Sequence, residues 1–336
     1  MFDRTLKRVA VIQPLPGIGD MIWHLPHIRA VAQWIGRPVT LVAKPRSAAD
    51  ELFASEQTIE DVLWLDRNPE RRRGGHDGPG GLLRLIRSLR ERRFQAAVLL
   101  HHSRTLAAAL FAAGIPHRYG YGYGLDRLFL NRPPYLPPAT FAQHPHEQAT
   151  DWVKAAGIPL EQSEPSLSIG EARRTAARQK LETGTETFVV FGIGTSEPYK
   201  QWGLERYAEL ADALFDAGCP RIVLAAGTAE IELADAIRRR AGDRISIAIG
   251  WKLGELAALL AEAAYYVGND TGVMNLAAAA GIRTYGLFGA VPPFHHSNAI
   301  VPILPPDGCP DKATGMARIT TEAVLETMRA DQSRFV

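Results

Sequence analysis

The sequence predicts an α/β protein built as two doubly wound units, on three observations. Short apolar runs rich in β-branched residues alternate with amphipathic helical stretches from end to end, which lays parallel strands side by side with helices on their faces. The rhythm halts once near the middle and restarts. A chain of 336 residues, 46% hydrophobic and 22% charged, exceeds one ordinary domain yet holds enough apolar surface for two packed cores.

In the first half the apolar runs place strands at Val9 to Gln13, Val39 to Ala43, Val62 to Leu65, Gln95 to Leu100 and Arg118 to Tyr121. Helices are expected between them at Met21 to Trp34, Leu82 to Arg93 and Thr105 to Ala113, where apolar residues recur at helical spacing. The second half repeats the pattern with strands at Phe188 to Gly192, Arg221 to Ala226, Ile245 to Ile249, Tyr265 to Val267 and Thr284 to Phe288. Its helices fall at Leu204 to Ala217, Glu230 to Arg240, Leu253 to Ala263 and Met274 to Ala280. Gly157 to Pro165 lacks periodicity and carries Pro and Glu, which marks the linker. The expected domains are therefore residues 1–160 and 161–336. A second Pro-rich stretch, Arg132 to Pro138, reads as a long connection inside the first domain, before a helix starting near His146.

The composition excludes several classes. A formal net charge of +2 gives no case for nucleic-acid binding, which needs a concentrated basic surface. Two cysteines, Cys219 and Cys309, cannot form a disulfide framework or a zinc cage, so a reducing cytoplasm is the expected setting. The N-terminal apolar run is too short for a signal peptide, and no run is long enough to span a bilayer. Charge is nonetheless uneven: residues 1–165 carry 21 Lys+Arg against 16 Asp+Glu. Nine arginines (67, 71, 72, 73, 84, 87, 90, 92 and 93) face only Glu70, Asp77 and Glu91. This stretch is either a solvated helix face with a glycine-rich loop or a surface for an anionic acceptor or anionic lipid headgroups.

Four turns carry the chemistry. The first strand runs into Pro14-Leu-Pro-Gly-Ile-Gly-Asp20 and a helix, so Gly17 and Gly19 allow a tight turn that exposes first-turn amides. A dinucleotide fingerprint fits poorly, because its third glycine falls on Ile22 and the second strand ends near Lys44 rather than on an acid. Asp20 reads as an N-cap or as a general base, and taken alone the cap is the plainer reading. In the second half, Gly194, Thr195 and Ser196 with Lys200 follow a strand and suit a diphosphate, although a loop lysine and a packed Trp202 are each commoner singly. Gly227-Thr-Ala-Glu230 offers a carboxylate to ribose hydroxyls or simply to the helix dipole. Gly268-Asn-Asp-Thr-Gly272 opens a helix of small residues, so backbone amides there can approach phosphate oxygens closely.

Together these residues resemble glycosyltransferase family 9, the lipopolysaccharide heptosyltransferases. The elements are Gly-Ile-Gly-Asp20 followed by Leu25-Pro26, Lys200-Gln-Trp202, Gly227-Thr-Ala-Glu230, the Leu253 to Glu262 helix and Gly268-Asn-Asp-Thr-Gly272. The resemblance implies a GT-B fold, two Rossmann-like domains facing across a cleft. It also implies acceptor binding in the first domain, donor binding in the second, inversion at the anomeric carbon and ADP-heptose as the usual donor. On this likeness Asp20 corresponds to the general base and Lys200 to the lysine that steadies the donor diphosphate. Gly194, Thr195, Ser196, Glu230, Asp270, Thr271, Gly272 and Asn275 would line the donor, and Gly19, Arg104 and Arg118 the acceptor. The chain departs from the family at Asn275, where histidine is common, and at Pro14-Leu-Pro16, where a serine-containing turn is common. Asparagine can hydrogen-bond a phosphate but cannot carry a proton at neutral pH.

The expected reaction is a single displacement needing a base on one side and positive charge on the other. It calls for no cofactor and no metal: the His101-His102 and His295-His296 pairs lack ligand spacing. The expected partners are a nucleotide-sugar donor and an anionic glycolipid or glycan acceptor, with peripheral contact at the inner face of the cytoplasmic membrane. The competing readings are a nucleotide-sugar epimerase, and a sugar-nucleotide-binding protein that has lost turnover. The tail from Thr320 to Arg329 is expected to be helical and to pack back toward the first domain.

Overall fold

The computed structural model describes residues 3–68, 72–182, 184, 186–195 and 197–332. The chain forms two compact units, Met1–Pro165 and Ser166–Val336.

The first unit runs β1 (Val9–Gln13), α1 (Ile18–Ile35), β2 (Val39–Ala43), α2 (Ala49–Leu52), β3 (Ile59–Trp64), α3 (Gly78–Glu91), β4 (Ala96–Leu99), α4 (Arg104–Ala112), β5 (His117–Gly120) and α5 (Pro145–Ala155). Its five strands are parallel in the order β3-β2-β1-β4-β5. The second unit runs α6 (Glu171–Leu181), β6 (Val189–Gly192), α7 (Leu204–Asp216), β7 (Ile222–Ala226), α8 (Ile231–Ala241), β8 (Ile245–Ile249), α9 (Leu253–Leu260), β9 (Tyr265–Asn269), α10 (Gly272–Ala279), β10 (Arg283–Leu287), β11 (Ile300–Ile303), α11 (Gly315–Arg318) and α12 (Thr321–Gln332). Its six parallel strands lie in the order β11-β10-β9-β6-β7-β8.

Both sheets are covered by helices, so the inner strands β1, β2, β4, β6 and β7 are buried at every residue. In each unit the strand order reverses once, between β1 and β4 and between β6 and β9. The loops leaving those two strands diverge at the carboxyl edge of the sheet, and that opening is where ligands bind in doubly wound folds. The turns singled out from sequence, after β1, β6 and β9, all stand at these two reversals.

Besides the four-residue helices α2 and α11, two elements escape the sequence pattern. β11 contains Pro302 and is short, which is compatible only with its place at the sheet edge. α6 is polar and buries only Ala177 and Leu181; ion pairs from Arg178 to Glu262 and from Lys180 to Glu255 fasten it to the α9 region. α12 packs on α7 and β11 of its own unit, where the carboxylate of the buried Asp331 accepts from Arg283 and from the Tyr285 hydroxyl.

In the first unit α1 packs on α5 through histidines. His27 Nε2 lies 2.8 Å from Thr150 Oγ1, and its ring stands 5.0 Å from that of His146 and 5.8 Å from that of His24. His24 and His27 are fully buried. Burial pushes both below the usual imidazole range, His24 to about 4, and neighbouring histidines add to the effect. Such a group is neutral in the folded state and charged in the unfolded chain at mildly acidic pH. Its stabilising effect is therefore full above pH 6.5 and is lost as pH falls from 6.5 toward 4. For His24 alone the loss at pH 5 is on the order of 2 kcal/mol. Eight of the ten histidines lie in residues 1–165. Chemical denaturation at pH 7 and pH 5, with hydrogen exchange to locate the opening, is expected to show the first unit weakening first.

Candidate functional site

In the second unit the loop after β6 meets the turn after β9. Asn269 ends β9 fully buried, and its amide Nδ2 donates to the carbonyls of Ile193 and Gly194 at 3.2 Å each. Its Oδ1 lies 3.1 Å from the Tyr207 hydroxyl, which is also 3.0 Å from the Gly192 carbonyl. Gln201 Nε2 adds a bond to Ile193 at 2.9 Å. Sequence reasoning missed this buried clamp, since Asn269, Gln201 and Tyr207 are far apart along the chain. The signal available was a polar residue at the end of an apolar strand, next to the turn. Trp202 is a core residue: it is 1% exposed and its indole N–H donates to Ile319 at 2.9 Å. It holds the loop that carries Lys200.

Lys200 Nζ lies 2.9 Å from Asp270 Oδ2 and 3.5 Å from Glu197 Oε2. Partial burial opposes its charge, but the Asp270 and Glu197 carboxylates outweigh that and hold its pKa above the ordinary lysine value. Thr271 caps α10 and Gly272 begins it. The ammonium thus stands beside the turn whose amides head an eight-residue helix, a cation and a dipole at one place. Glu230 precedes α8 and reaches toward the Thr195 amide at 3.5 Å. Gly194, Thr195, Glu230, Lys200, Asp270, Thr271 and Gly272 are therefore gathered at this sheet edge. Asn275 is buried and its amide Nδ2 donates to the Thr271 carbonyl at 3.0 Å, so it shapes the turn from within the helix. Ser196 lies outside the described residues.

One polar atom at this edge is poorly served. Tyr266 is fully buried, and its hydroxyl makes no well-formed hydrogen bond among the described residues, only a weak contact with the Thr271 side chain. Leaving such a group unsatisfied costs about 1–3 kcal/mol.

In the first unit Gly17 caps α1, and its amide donates to Asp20 Oδ2 at 3.1 Å. Asp20 is thus the third helical residue reaching back to the cap, not the cap itself. A side chain at position 17 would sit 2.5 Å from that carboxylate oxygen, so glycine is needed for the carboxylate to fold back. Burial raises the Asp20 pKa above the ordinary value, partly offset by the Gly17 amide. His24 Nδ1, 2.6 Å from the Asp20 carbonyl, must donate its hydrogen there, which fixes the tautomer and braces the same turn.

Beside this turn is a pocket of about 300 Å³ lined by Pro14, Lys44, Arg67, His101, His102 and Ser103 among others. The buried Asp126 carboxylate holds its rim, accepting from the Ser103 amide at 3.0 Å and pairing with His102 Nδ1 at 2.6 Å. Lys44 was passed over in the sequence as a strand end. Gly19 is buried in the first turn of α1, and Arg104 is exposed at the start of α4 beside this rim. Arg118 is different. Its guanidinium donates to the carbonyls of Phe129 and Ile115 at 2.6 and 2.5 Å, which makes it a structural tie. No group of three or more His, Cys, Asp or Glu among the described residues could hold a metal ion.

Two Rossmann-like units, one with a lysine beside a small-residue helix turn and the other with a carboxylate of raised pKa, are the parts of a GT-B glycosyltransferase. Comparison with known proteins agrees. The family model for glycosyltransferase family 9 (heptosyltransferase) matches residues 82–302. Lipopolysaccharide heptosyltransferase 2 of Escherichia coli K12 is 26% identical over 288 residues, covering 78% of this chain and 79% of that protein. Among solved structures, the glycosyl transferase family 9 protein of Veillonella parvula superposes with a TM-score of 0.80 at 20% identity, covering 96% of each chain. The E. coli heptosyltransferase WaaC with ADP-2-deoxy-2-fluoro heptose gives 0.75 at 21% identity, covering 97% of this chain and all of that one. The chain belongs to glycosyltransferase family 9, the heptosyltransferases.

The clamp gives a direct expectation. Asn269→Ala removes the donor shared by two buried carbonyls and leaves the Tyr207 hydroxyl only the Gly192 carbonyl, so stability should fall by about 2 kcal/mol. Nucleotide affinity should fall with it, both read from denaturation curves with and without ADP.

Proposed function

We propose that this glycosyltransferase moves a heptose from ADP-heptose to an anionic glycolipid acceptor of the lipopolysaccharide core, with inversion at the anomeric carbon. The observation that carries the donor half is the Lys200–Asp270 pair at 2.9 Å beside the start of α10. A lysine poised there with helix amides can take the charge of a departing nucleotide diphosphate without a metal. Glu230 and Thr195 take the ribose side, and Asn275 keeps the Thr271 turn in shape. Two of the relatives support it: one is named for lipopolysaccharide heptosyl transfer, and WaaC was solved with ADP-2-deoxy-2-fluoro heptose.

Asp20 accepts the proton of the attacking hydroxyl. Its raised pKa makes it a better base near neutral pH than an ordinary aspartate. The pocket with Lys44 and Arg67 would hold an anionic group of the acceptor, with Arg104 at its rim. An epimerase would need acid and base groups on both faces of the sugar, and Asp20 supplies one. Incubation with ADP-heptose and no acceptor separates the readings: an isomerised sugar would favour the epimerase.

The acceptor side also carries a surface suited to anionic lipid. Residues 78–132 hold nine arginines and only Glu91 and Asp126 as acids, and Asp126 is buried. Leu125 and Leu128, one turn apart on a 3-10 segment, are 52% and 72% exposed, and Phe111 on the adjoining α4 is 54% exposed. Arg118 lies over the Phe111 ring and Arg127 over Tyr135. Exposed apolar side chains set among arginines match a negatively charged bilayer surface. No helix among the described residues is long and apolar enough to cross a membrane.

Two measurements test this reading. In Asp20→Asn the amide oxygen can still accept from Gly17, so donor binding should persist while turnover falls about a hundredfold to ten-thousandfold; unchanged turnover removes Asp20 from the mechanism. In the wild type the acidic limb of kcat/KM should lie above the ordinary aspartate pKa. For the surface, the protein should sediment with vesicles containing phosphatidylglycerol and not with phosphatidylcholine alone. The Leu125→Ser, Leu128→Ser double variant should lose this binding while keeping its affinity for ADP.

A further inference from the structure

Tyr266 belongs to no part of the mechanism so far, yet the sheet is shaped around it. Tyr266 pairs with Val190, and Gly268 with Gly192, in the register of β9 and β6. The tyrosine ring lies along the sheet for two residues, a rise of roughly 6.6 Å, and ends over that glycine pair. A side chain at position 192 would meet the hydroxyl at 1.7 Å, and one at 268 would meet it at 2.6 Å. Two glycines on neighbouring strands therefore leave the room that the phenol fills. Glycine weakens a strand interior, and a buried hydroxyl without a well-formed hydrogen bond weakens it further. Phenylalanine would fill the same space without the second cost. The hydroxyl is aimed at the carboxyl edge of β6 and β9, where the sheet order reverses, and Thr271 is its polar neighbour there.

We propose that Tyr266 is a positioning residue for the donor diphosphate, acting through Thr271. When an anion occupies the turn, the Thr271 hydroxyl donates to it and its lone pairs face inward, where the Tyr266 O–H donates to them. The buried tyrosine hydroxyl, which touches Thr271 only weakly without ligand, thus gains a well-formed hydrogen bond in the nucleotide-bound state, and the threonine rotamer that serves the phosphate is selected. The inference rests on the donor reading above and deepens it.

The test is Tyr266→Phe, measured for ADP affinity by calorimetry and for stability without ligand. The expected result is ADP binding weakened about tenfold, the loss of one hydrogen bond to a charged assembly, with thermal stability unchanged or raised. A merely structural tyrosine would give the reverse, lower stability at unchanged affinity, and that overturns the proposal. A second arm places Tyr266→Phe in a Thr271→Val background. There the tyrosine hydroxyl has nothing to act through, so the substitution should no longer change ADP affinity; a loss of the same size in both backgrounds also overturns it. Wild-type protein that fails to bind ADP overturns the donor reading itself, and the role of Tyr266 falls with it. The two failures are thus told apart by the wild-type titration.

Discussion

The ion pair between Lys200 and Asp270 is the contact on which the chemistry of the second unit depends. It joins the loop after β6 to the turn after β9, and its two side chains are only about a fifth exposed. Pairs of this kind add little to stability, because the desolvation of both ions offsets most of their attraction. Their use here is to keep a cation fixed beside helix amides before any ligand arrives. Asp270 neutralises the lysine in the meantime, and in the proposed reaction an incoming diphosphate would share it. Everything else at this edge serves to hold those two groups in register: the Asn269 clamp beneath them, Trp202 behind the lysine loop, and Asn275 tying the first turn of α10.

The first unit solves a different problem with similar means. To act as the proposed base its carboxylate would have to stay partly dehydrated and yet be held in one direction. The Gly17 amide supplies direction at the cost of some basicity, and burial works the other way; burial wins. The His24 imidazole braces the carbonyl of the same residue from below. Because His24 and His27 are buried without charge, the unit is vulnerable to acid, which would charge rings that burial keeps neutral. A fold that places titratable rings inside a helix pair accepts that sensitivity wherever the rings are needed for packing.

Most strands were legible in the sequence because strands buried on both faces must be apolar throughout, as Val9-Ala-Val-Ile12 and Ile222-Val-Leu-Ala-Ala226 are. The turns were legible because glycine, proline and small polar residues follow those strands directly. α6 was not, since it is held by ion pairs to the α9 region rather than by an apolar stripe, and β11 was not, since an edge strand tolerates a proline that a central one excludes. Among site residues, Arg118 is assigned to the acceptor only through the family resemblance; from its strand it donates to the backbone carbonyls of Ile115 and Phe129. Lys44 read as a strand end, and only the pocket after β4 gives it a neighbourhood.

The sequence by itself determined that two doubly wound units exist, where their glycine turns fall, and which family's pattern those turns follow. Such features are local: a run of apolar residues and the turn after it lie within a dozen positions of one another. Tertiary structure alone decided which turns share a sheet edge, which charges neutralise one another, and which polar atoms are left without a well-formed hydrogen bond. The hydroxyl of Tyr266 is the clearest case. Its meaning comes from Gly192, over seventy positions away along the chain and paired beside it only through the register of two parallel strands. That register is set by the packing of the whole sheet.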